Sequence, residues 1–235
     1  MEIERFLARP IPEGSGALLG VEVPDAVECG EALVDITDLH PRIRYAASYL
    51  EMGIEGAPSR CLVRSGVYER LCAALELLPV AYSFLIYDTL RPLAVQRALF
   101  EDYKGKLAAE HPELDEAELE ERTSEFVARP VKDALRPSSH QTGGAVDLTL
   151  LKGGQAVDMG TEFDEFAPVA HAAHFERPGM DAAVRDNRRL LHNVMREAGF
   201  THYEGEWWHF DYGDRQWAAC LGCAPRYAYC CGDGG

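Results

Sequence analysis

The chain has 235 residues, 47% of them hydrophobic, and a formal net charge of −16. That length suits one large domain or two small ones with a substantial buried core. The negative surface repels phosphate backbones and anionic lipid, and no run of about 18 apolar residues marks a membrane span, so neither nucleic acid nor membrane is an expected partner.

Residues 1–30 are rich in Pro and Gly and read as an irregular arm. Met1-Glu2-Ile3-Glu4-Arg5 lacks the basic-then-apolar pattern of a secretion signal, so a cytoplasmic location is expected. A short strand is predicted over 32–36, then a turn at Asp38-Leu39-His40-Pro41. Val67, Leu71, Ala74, Leu75 and Leu78 share one helical face, with Ser65 as the expected cap and Pro79 as the stop. Residues 82–87 are β-prone and apolar and predict a buried strand. It ends in Asp88-Thr89-Leu90-Arg91-Pro92, and Pro92 suits the first turn of a helix through Val95, Leu99 and Phe100. Residues 110–125 are strongly acidic with a weak apolar face, as in a solvated helix that Pro112 can start.

A strand is predicted over 145–151, a turn at Lys152-Gly153-Gly154-Gln155, and a loop over 159–164. Leu190, Leu191, Val194, Met195 and Ala198 share a face, so a helix is expected over 187–198, capped by Asp186 or Asn187 and ended by Gly199. Residues 206–212 are aromatic and β-prone and predict the last strand. Strands and helices mix without regular βαβ alternation. That predicts an α+β fold with a mainly antiparallel sheet flanked by helices. The expected organisation is an arm over 1–30, one domain over 31–217 and a cysteine-rich tail over 218–235.

Seven cysteines are present. Cys61 and Cys72 sit in an apolar pattern and read, with Cys29, as thiols in a reducing compartment. Cys220, Cys223, Cys230 and Cys231 offer either a metal site, disulfides or a plain cysteine-rich terminus. The adjacent final pair is a poor match to zinc-finger spacing.

The stretch Ser138-Ser139-His140-Gln141-Thr142-Gly143-Gly144-Ala145-Val146-Asp147 carries the first chemical signal. Asp147 interrupts an apolar run, where a carboxylate is costly unless it is paired or binds a cation. Gly143 and Gly144 permit a tight path that folds the His140 loop onto the strand of Asp147. Glu206-Trp207-Trp208-His209 is the second signal. Residues three apart on a strand point to opposite faces, so Glu206 and His209 converge only if Glu206 sits at a bulge or before the strand begins. Two His, one Asp and a spare carboxylate make the donor set of a catalytic zinc site with a general base. Arg91 lies where a buried strand runs out and suits a carboxylate or a developing oxyanion. His171 and His174 are rival ligands, but no glycine-shaped loop or partnering acid supports them, and they read as surface or outer residues.

The motifs SxHxxGxAxD and ExWH resemble those of zinc D-alanyl-D-alanine dipeptidases of the VanX type, within the wider His-Asp-His group of D,D-peptidases. Ile43-Arg44-Tyr45-Ala46, Tyr87-Asp88-Thr89-Leu90-Arg91-Pro92, Met159-Gly160-Thr161-Glu162-Phe163-Asp164 and Asn187-Arg188-Arg189 through Gly199-Phe200 resemble that family in order and spacing too. The likeness runs from about residue 33 to about 212. It implies one zinc per chain on His140, Asp147 and His209, with Glu206 as general base and acid and Arg91 stabilising the tetrahedral intermediate. It further implies that Ser138, Tyr45 and Asp164 hold the ends of a small dipeptide, Asp164 at the free ammonium. The implied reaction is hydrolysis of D-Ala-D-Ala to two D-alanines. The arm, the acidic stretch, the tail and the Ala-Ala-Ser-Tyr-Leu-Glu-Met that follows Tyr45 depart from the usual relatives. The rival readings are a D,D-carboxypeptidase or cell-wall endopeptidase on the same metal site, and a non-enzymatic zinc-stabilised interaction domain. Nothing in the sequence sets an oligomeric state.

Overall fold

The structure is a computed structural model that describes residues 3–14, 22–130, 132–133, 135–165 and 167–230. Its elements in chain order are α1 (Glu4–Leu7), β1 (Leu33–Asp35), β2 (Ile43–Tyr45), α2 (Ser48–Glu51), β3 (Leu62–Arg64), α3 (Ser65–Glu76), β4 (Tyr82–Asp88), α4 (Leu93–Glu110) and α5 (Glu116–Phe126). A 3-10 turn at Ser139–Thr142 precedes β5 (Ala145–Lys152) and β6 (Gln155–Ala156). Two more such turns, Pro168–Ala170 and His174–Glu176, lead to α6 (Ala182–Glu197), β7 (Thr201–His202), β8 (His209–Asp211) and α7 (Arg215–Leu221).

The main sheet runs β2-β4-β5-β8-β7, with β6 paired to β5, while β1 and β3 form a separate antiparallel pair. The α+β expectation holds. The sheet is mainly antiparallel but mixed, because β2 joins β4 in parallel. β5 lies between β4 and β8 and is buried from Ala145 to Leu151, which explains why it is apolar apart from Asp147 and Thr149. Phe84 and Ile86 of β4, Val146, Leu148 and Leu150 of β5, the apolar face of α3 and that of α6 share one core.

Several element ends differ from expectation for local reasons. Ser65 does not cap α3; the Glu31 carboxylate accepts from Gly66 N at 2.9 Å instead. α5 starts at Glu116, not after Pro112, because Asp115 and Glu118 make a reciprocal capping box. α6 starts earlier than the periodicity suggested, since Asp181 accepts from Ala183 N and Val184 N. The last strand is shorter than expected: β8 begins only at His209, and Glu206 lies in the turn before it.

The arm contains α1, whose Phe6 is fully buried in the main core. α6 fixes it: Asn193 Nδ2 donates to the Phe6 and Arg9 carbonyls, and Arg189 donates to the Leu7 carbonyl. The tail folds back through residue 230. Tyr227 is buried, its hydroxyl donating to Glu31 Oε2 at 2.6 Å, and Cys230 N donates to the Gln141 carbonyl. Residues 15–21 of the arm and Cys231 of the tail lie outside the described residues. Within the described residues no helix is long and apolar enough to cross a membrane.

Candidate active site

Three adjacent strands set up a row of polar groups. Asp147 on β5 pairs in register with His209 on β8 and, past an irregularity in β4, with Asp88 on the other side. His140 comes from the 3-10 turn above them. Gly143 ends that turn at φ 72, in the left-handed region that favours glycine. Gly144 is needed for another reason: a Cβ there would sit 2.5 Å from the Tyr212 carbonyl oxygen. The turn is also pinned to β4, because Arg91 N donates to the His140 carbonyl at 3.1 Å.

His140, Asp147 and His209 offer ligand atoms that all lie within 4.8 Å of one another, the one such group of three among the described residues. His140 Nε2 is 3.2 Å from His209 Nδ1, which is 3.0 Å from Asp147 Oδ1; Asp147 Oδ2 is 3.3 Å from His140 Nε2. The outward ring nitrogens decide what these inward atoms carry. His140 Nδ1 lies 2.8 Å from the Thr89 carbonyl, which only accepts, so this nitrogen holds the proton. His209 Nε2 lies 2.8 Å from Asp211 Oδ1 and donates to that carboxylate. In the neutral rings the inward nitrogens are therefore lone pairs, aimed at each other and at an anionic carboxylate. A cation relieves that convergence. Each imidazole also has the outer acceptor that metal-ligating histidines use to fix their tautomer. The donor set thus fits a metal ion.

Asp211 is fully buried beside Asp214. Burial works against its ionisation, but His209 outweighs it and holds Asp211 below the ordinary carboxylate range. Burial and then Asp211 push Asp214 well above that range. Asp214 accepts from Trp217 N and caps α7.

Arg91 follows the end of β4. Its Nε donates to Asp88 Oδ2 at 2.7 Å, Nη1 to Gln96 Oε1 at 2.9 Å and Nη2 to the Tyr49 hydroxyl at 3.2 Å, while Nη2 lies 3.7 Å from Asp147 Oδ2. Burial opposes the charge, but Tyr49, Asp88, Asp147 and Asp164 together keep the guanidinium firmly protonated. Tyr49 in turn donates to Asp164 Oδ2 at 2.9 Å. Asp164 itself has φ 60, a conformation Asp tolerates better than most residues. Its loop is held on both sides. Phe163 stacks on Tyr87 at 4.5 Å, Trp207 Nε1 donates to Thr161, and the buried Arg188 binds the Met159, Val169 and His171 carbonyls. Burial pushes the Asp164 carboxyl up to about 7 against the pull of Arg91.

Glu206 Oε2 lies 3.8 Å from His209 Nδ1. The turn that carries it is closed by Tyr203 N to the His209 carbonyl and Glu206 N to the Tyr203 carbonyl. This frees Glu206 from the strand's alternation, so it reaches the same side as His209. Burial raises its pKa to about 8, with Asp147 and Asp164 adding to that and His209 opposing it.

His140, Asp147, His209, Glu206, Arg91, Asp164 and Ser138 all line one cavity of about 580 Å³. Ser138 Oγ is buried at the start of the 3-10 turn, where Ser138 and Gln141 form a reciprocal capping box. Tyr45 is placed differently from expectation. Its hydroxyl donates to the Pro58 carbonyl at 3.1 Å, and the cavity is lined instead by Tyr49 of α2, the helix that follows β2. His171 follows the 3-10 turn at Pro168–Ala170 and His174 opens the next one, and neither lines this cavity. Tyr49, Asp88, Gln96 and Asp211 were not singled out from the sequence. Asp211 had a readable signal, since residues two apart on a strand share a face and it follows His209 at that spacing.

The sequence profile of the D-ala-D-ala dipeptidase family matches residues 32–227. The chain belongs to this family. It is 31% identical over 212 residues to a D-alanyl-D-alanine dipeptidase of Synechocystis, covering 81% of this chain and 85% of that protein. It is 29% identical over 190 residues to the D-alanyl-D-alanine dipeptidase of Escherichia coli, covering 80% and 86%. The corresponding enzyme of Streptomyces coelicolor is 33% identical over 172 residues, covering 69% and 75%. Membership in this metallopeptidase family makes the chain a peptidase and agrees with the cation-seeking donor set of His140, Asp147 and His209.

Proposed function

We propose that this protein is a zinc-dependent D,D-dipeptidase that hydrolyses D-Ala-D-Ala to two D-alanines, and that it works in the cytoplasm. The observation that carries the reading is the convergence of His140 Nε2, Asp147 and His209 Nδ1 at one end of a cavity, with the buried Glu206 carboxylate beside them. One zinc per chain would be held by these three residues. When bound, it supplies Lewis acidity that acidifies water and polarises a carbonyl oxygen.

The chain's own groups do the rest. Glu206, whose carboxylate lies 3.8 Å from His209 Nδ1, takes a proton from the attacking water and delivers it to the leaving amine. Arg91 is locked by Asp88 and Gln96 and donates to the carbonyl oxygen as negative charge grows there. Asp164, oriented by Tyr49, receives the substrate ammonium, and that contact restores the charge that burial disfavours. Ser138 Oγ offers its unused proton to the carboxyl side.

The Asp164–Tyr49 pair favours a dipeptidase over a carboxypeptidase or cell-wall endopeptidase, because a buried carboxylate demands a free amino terminus close to the scissile bond. The test is release of D-alanine from D-Ala-D-Ala, abolished by a chelator and restored by zinc. N-acetyl-D-Ala-D-Ala should be rejected about 10⁴-fold, as expected when a blocked ligand leaves a built polar site unpaired. Efficient cleavage of the acetylated compound would remove Asp164 from its role.

A further inference from the structure

Asp147 and His209 are fixed against each other by the pairing of β5 with β8, but His140 sits on a 3-10 turn that belongs to no strand. Its place depends on what holds the turn's carbonyls. From His140 to Gly144 each carbonyl accepts from another part of the chain. Arg91 N donates to that of His140, Cys230 N to Gln141 at 2.9 Å, Arg64 Nε to Thr142 at 2.8 Å, Arg64 N to Gly143 at 3.0 Å and Tyr212 N to Gly144 at 3.0 Å. The donor from Cys230 belongs to the cysteine-rich tail.

The tail also supports the neighbouring contacts. Tyr227 is fully buried, and its ring lies against the backbone at both Gly144 and Gly213. A Cβ on Gly144 would meet Tyr227 Cδ2 at 3.0 Å, and one on Gly213 would meet the same atom at 2.7 Å. Gly144 joins the His140 turn to β5, and Gly213 lies just past the end of β8. The buried Arg64, which holds Thr142 and Gly143, places its guanidinium 5.2 Å from the centre of the Tyr227 ring. The tail is tied down at its own start, because Arg226 N and Tyr227 N both donate to the Gly213 carbonyl and the Tyr227 hydroxyl donates to Glu31. Residues 226–230 therefore run from the exit of β8 to the His140 turn, across the two elements that carry the histidines.

We infer that residues 226–230 are a strap that fixes the His140 turn against β8, with Tyr227 as the positioning residue that keeps His140 Nε2 and His209 Nδ1 within reach of one cation. This rests on the zinc-site reading above. Asp147 and His209 keep their places by strand pairing when the strap is loosened, whereas His140 does not. The substrate-holding groups Tyr49 and Asp164 lie on α2 and on the loop before the turn at Pro168–Ala170, neither of which the strap touches through a hydrogen bond described here.

The test measures zinc affinity of the full-length protein by competition with a chromogenic chelator, beside the melting temperature of the metal-free form and KM for D-Ala-D-Ala at saturating zinc. Tyr227→Leu takes the ring away from both glycines and from Arg64. It should weaken zinc binding about 10–100-fold, the range for groups that support metal ligands, with KM unchanged. Tyr227→Phe keeps the ring and loses only the Glu31 contact, so it should restore zinc affinity while still melting below the natural chain. Phe6→Leu, a core change on α1, should lower the melting temperature but leave zinc affinity within about twofold, as for sites that share no partners. Cys230→Pro deletes the donor to Gln141 without opening the core and should weaken zinc binding about 2–10-fold, as for one neutral hydrogen bond. Natural zinc affinity in Tyr227→Leu, or a rise in KM in place of the affinity loss, overturns the strap. An equal affinity loss in Phe6→Leu overturns it too, since that marks general destabilisation. With Tyr227→Leu unfolded, Cys230→Pro decides alone, and unchanged affinity there overturns the proposal. Zinc binding is read without substrate. A chain that binds zinc in the Tyr227-dependent way but leaves D-Ala-D-Ala intact would overturn the dipeptidase reading and uphold the strap, while a chain that binds no zinc would overturn both.

Discussion

Asp211→Asn isolates the group that orients His209. In the structure Asp211 is fully buried and accepts from His209 Nε2 at 2.8 Å, which leaves Nδ1 as the inward lone pair. Asparagine keeps the shape and one acceptor oxygen but removes the charge. A hydrogen bond to a charged group contributes about 1.5–3 kcal/mol and a neutral one about 0.5–1.5 kcal/mol, so the loss is about 1–2 kcal/mol. Outer-sphere partners of metal ligands typically affect affinity 10–100-fold, about 1.4–2.7 kcal/mol, which agrees. The expected outcome is zinc binding weakened about 10–100-fold, read by competition with a chromogenic chelator, with kcat at saturating zinc falling much less. Unchanged zinc affinity would refute the reasoning. So would a drop in affinity that merely tracks a drop in thermal stability of the metal-free protein, since that would mark Asp211 as a structural group.

Three further outcomes follow from the same geometry. Glu206→Ala should still bind zinc but lose about 10²–10⁴-fold in turnover, checked by metal analysis beside a D-alanine assay; near-normal turnover would end its role as base. Arg91→Ala should cost about 10²–10³-fold, mainly in kcat, because its contact strengthens as charge develops; an effect confined to KM would make it a substrate clamp instead. His192 is buried and pushed down to about 4 by burial and by Arg196 and Arg9, while the unfolded chain titrates near 6.5. Between those values the unfolded state binds the extra proton, so stability is full above pH 6.5 and falls by about 3 kcal/mol as pH drops toward 4. Denaturant titrations across that range should show this slope, and His192→Leu should flatten it. His202, also held low by burial, keeps part of the slope in that variant.

The parts of this site legible in the sequence are those where local pattern and chemistry conflict. Asp147 stood out because it breaks a run that is buried throughout β5. The glycines after His140 stood out because a tight turn needs them, and the structure separates their reasons into a positive φ at Gly143 and a close carbonyl at Gly144. The apolar periods of α3 and α6 located both helices, yet their starts were set by Glu31 and Asp181, acids that the period cannot weigh. Asp88 and Tyr49 were hidden for a different reason. Their importance comes from β4 lying against β5 and from α2 reaching over the cavity, long-range contacts that leave no mark on nearby residues. Tyr45 and Tyr49 illustrate the limit well: two tyrosines four residues apart, one ending β2 and bonded to Pro58, the other on α2 and bonded to Asp164, cannot be ranked by type or spacing.

The most direct test is anomalous diffraction at the zinc edge from crystals of the zinc-loaded protein. The account predicts one strong peak per chain, about 2.0–2.2 Å from His140 Nε2, an Asp147 oxygen and His209 Nδ1, with the fourth position open to solvent or substrate. A peak at the tail cysteines with none between the two histidines, or a fourth protein side chain closing the coordination, would contradict it.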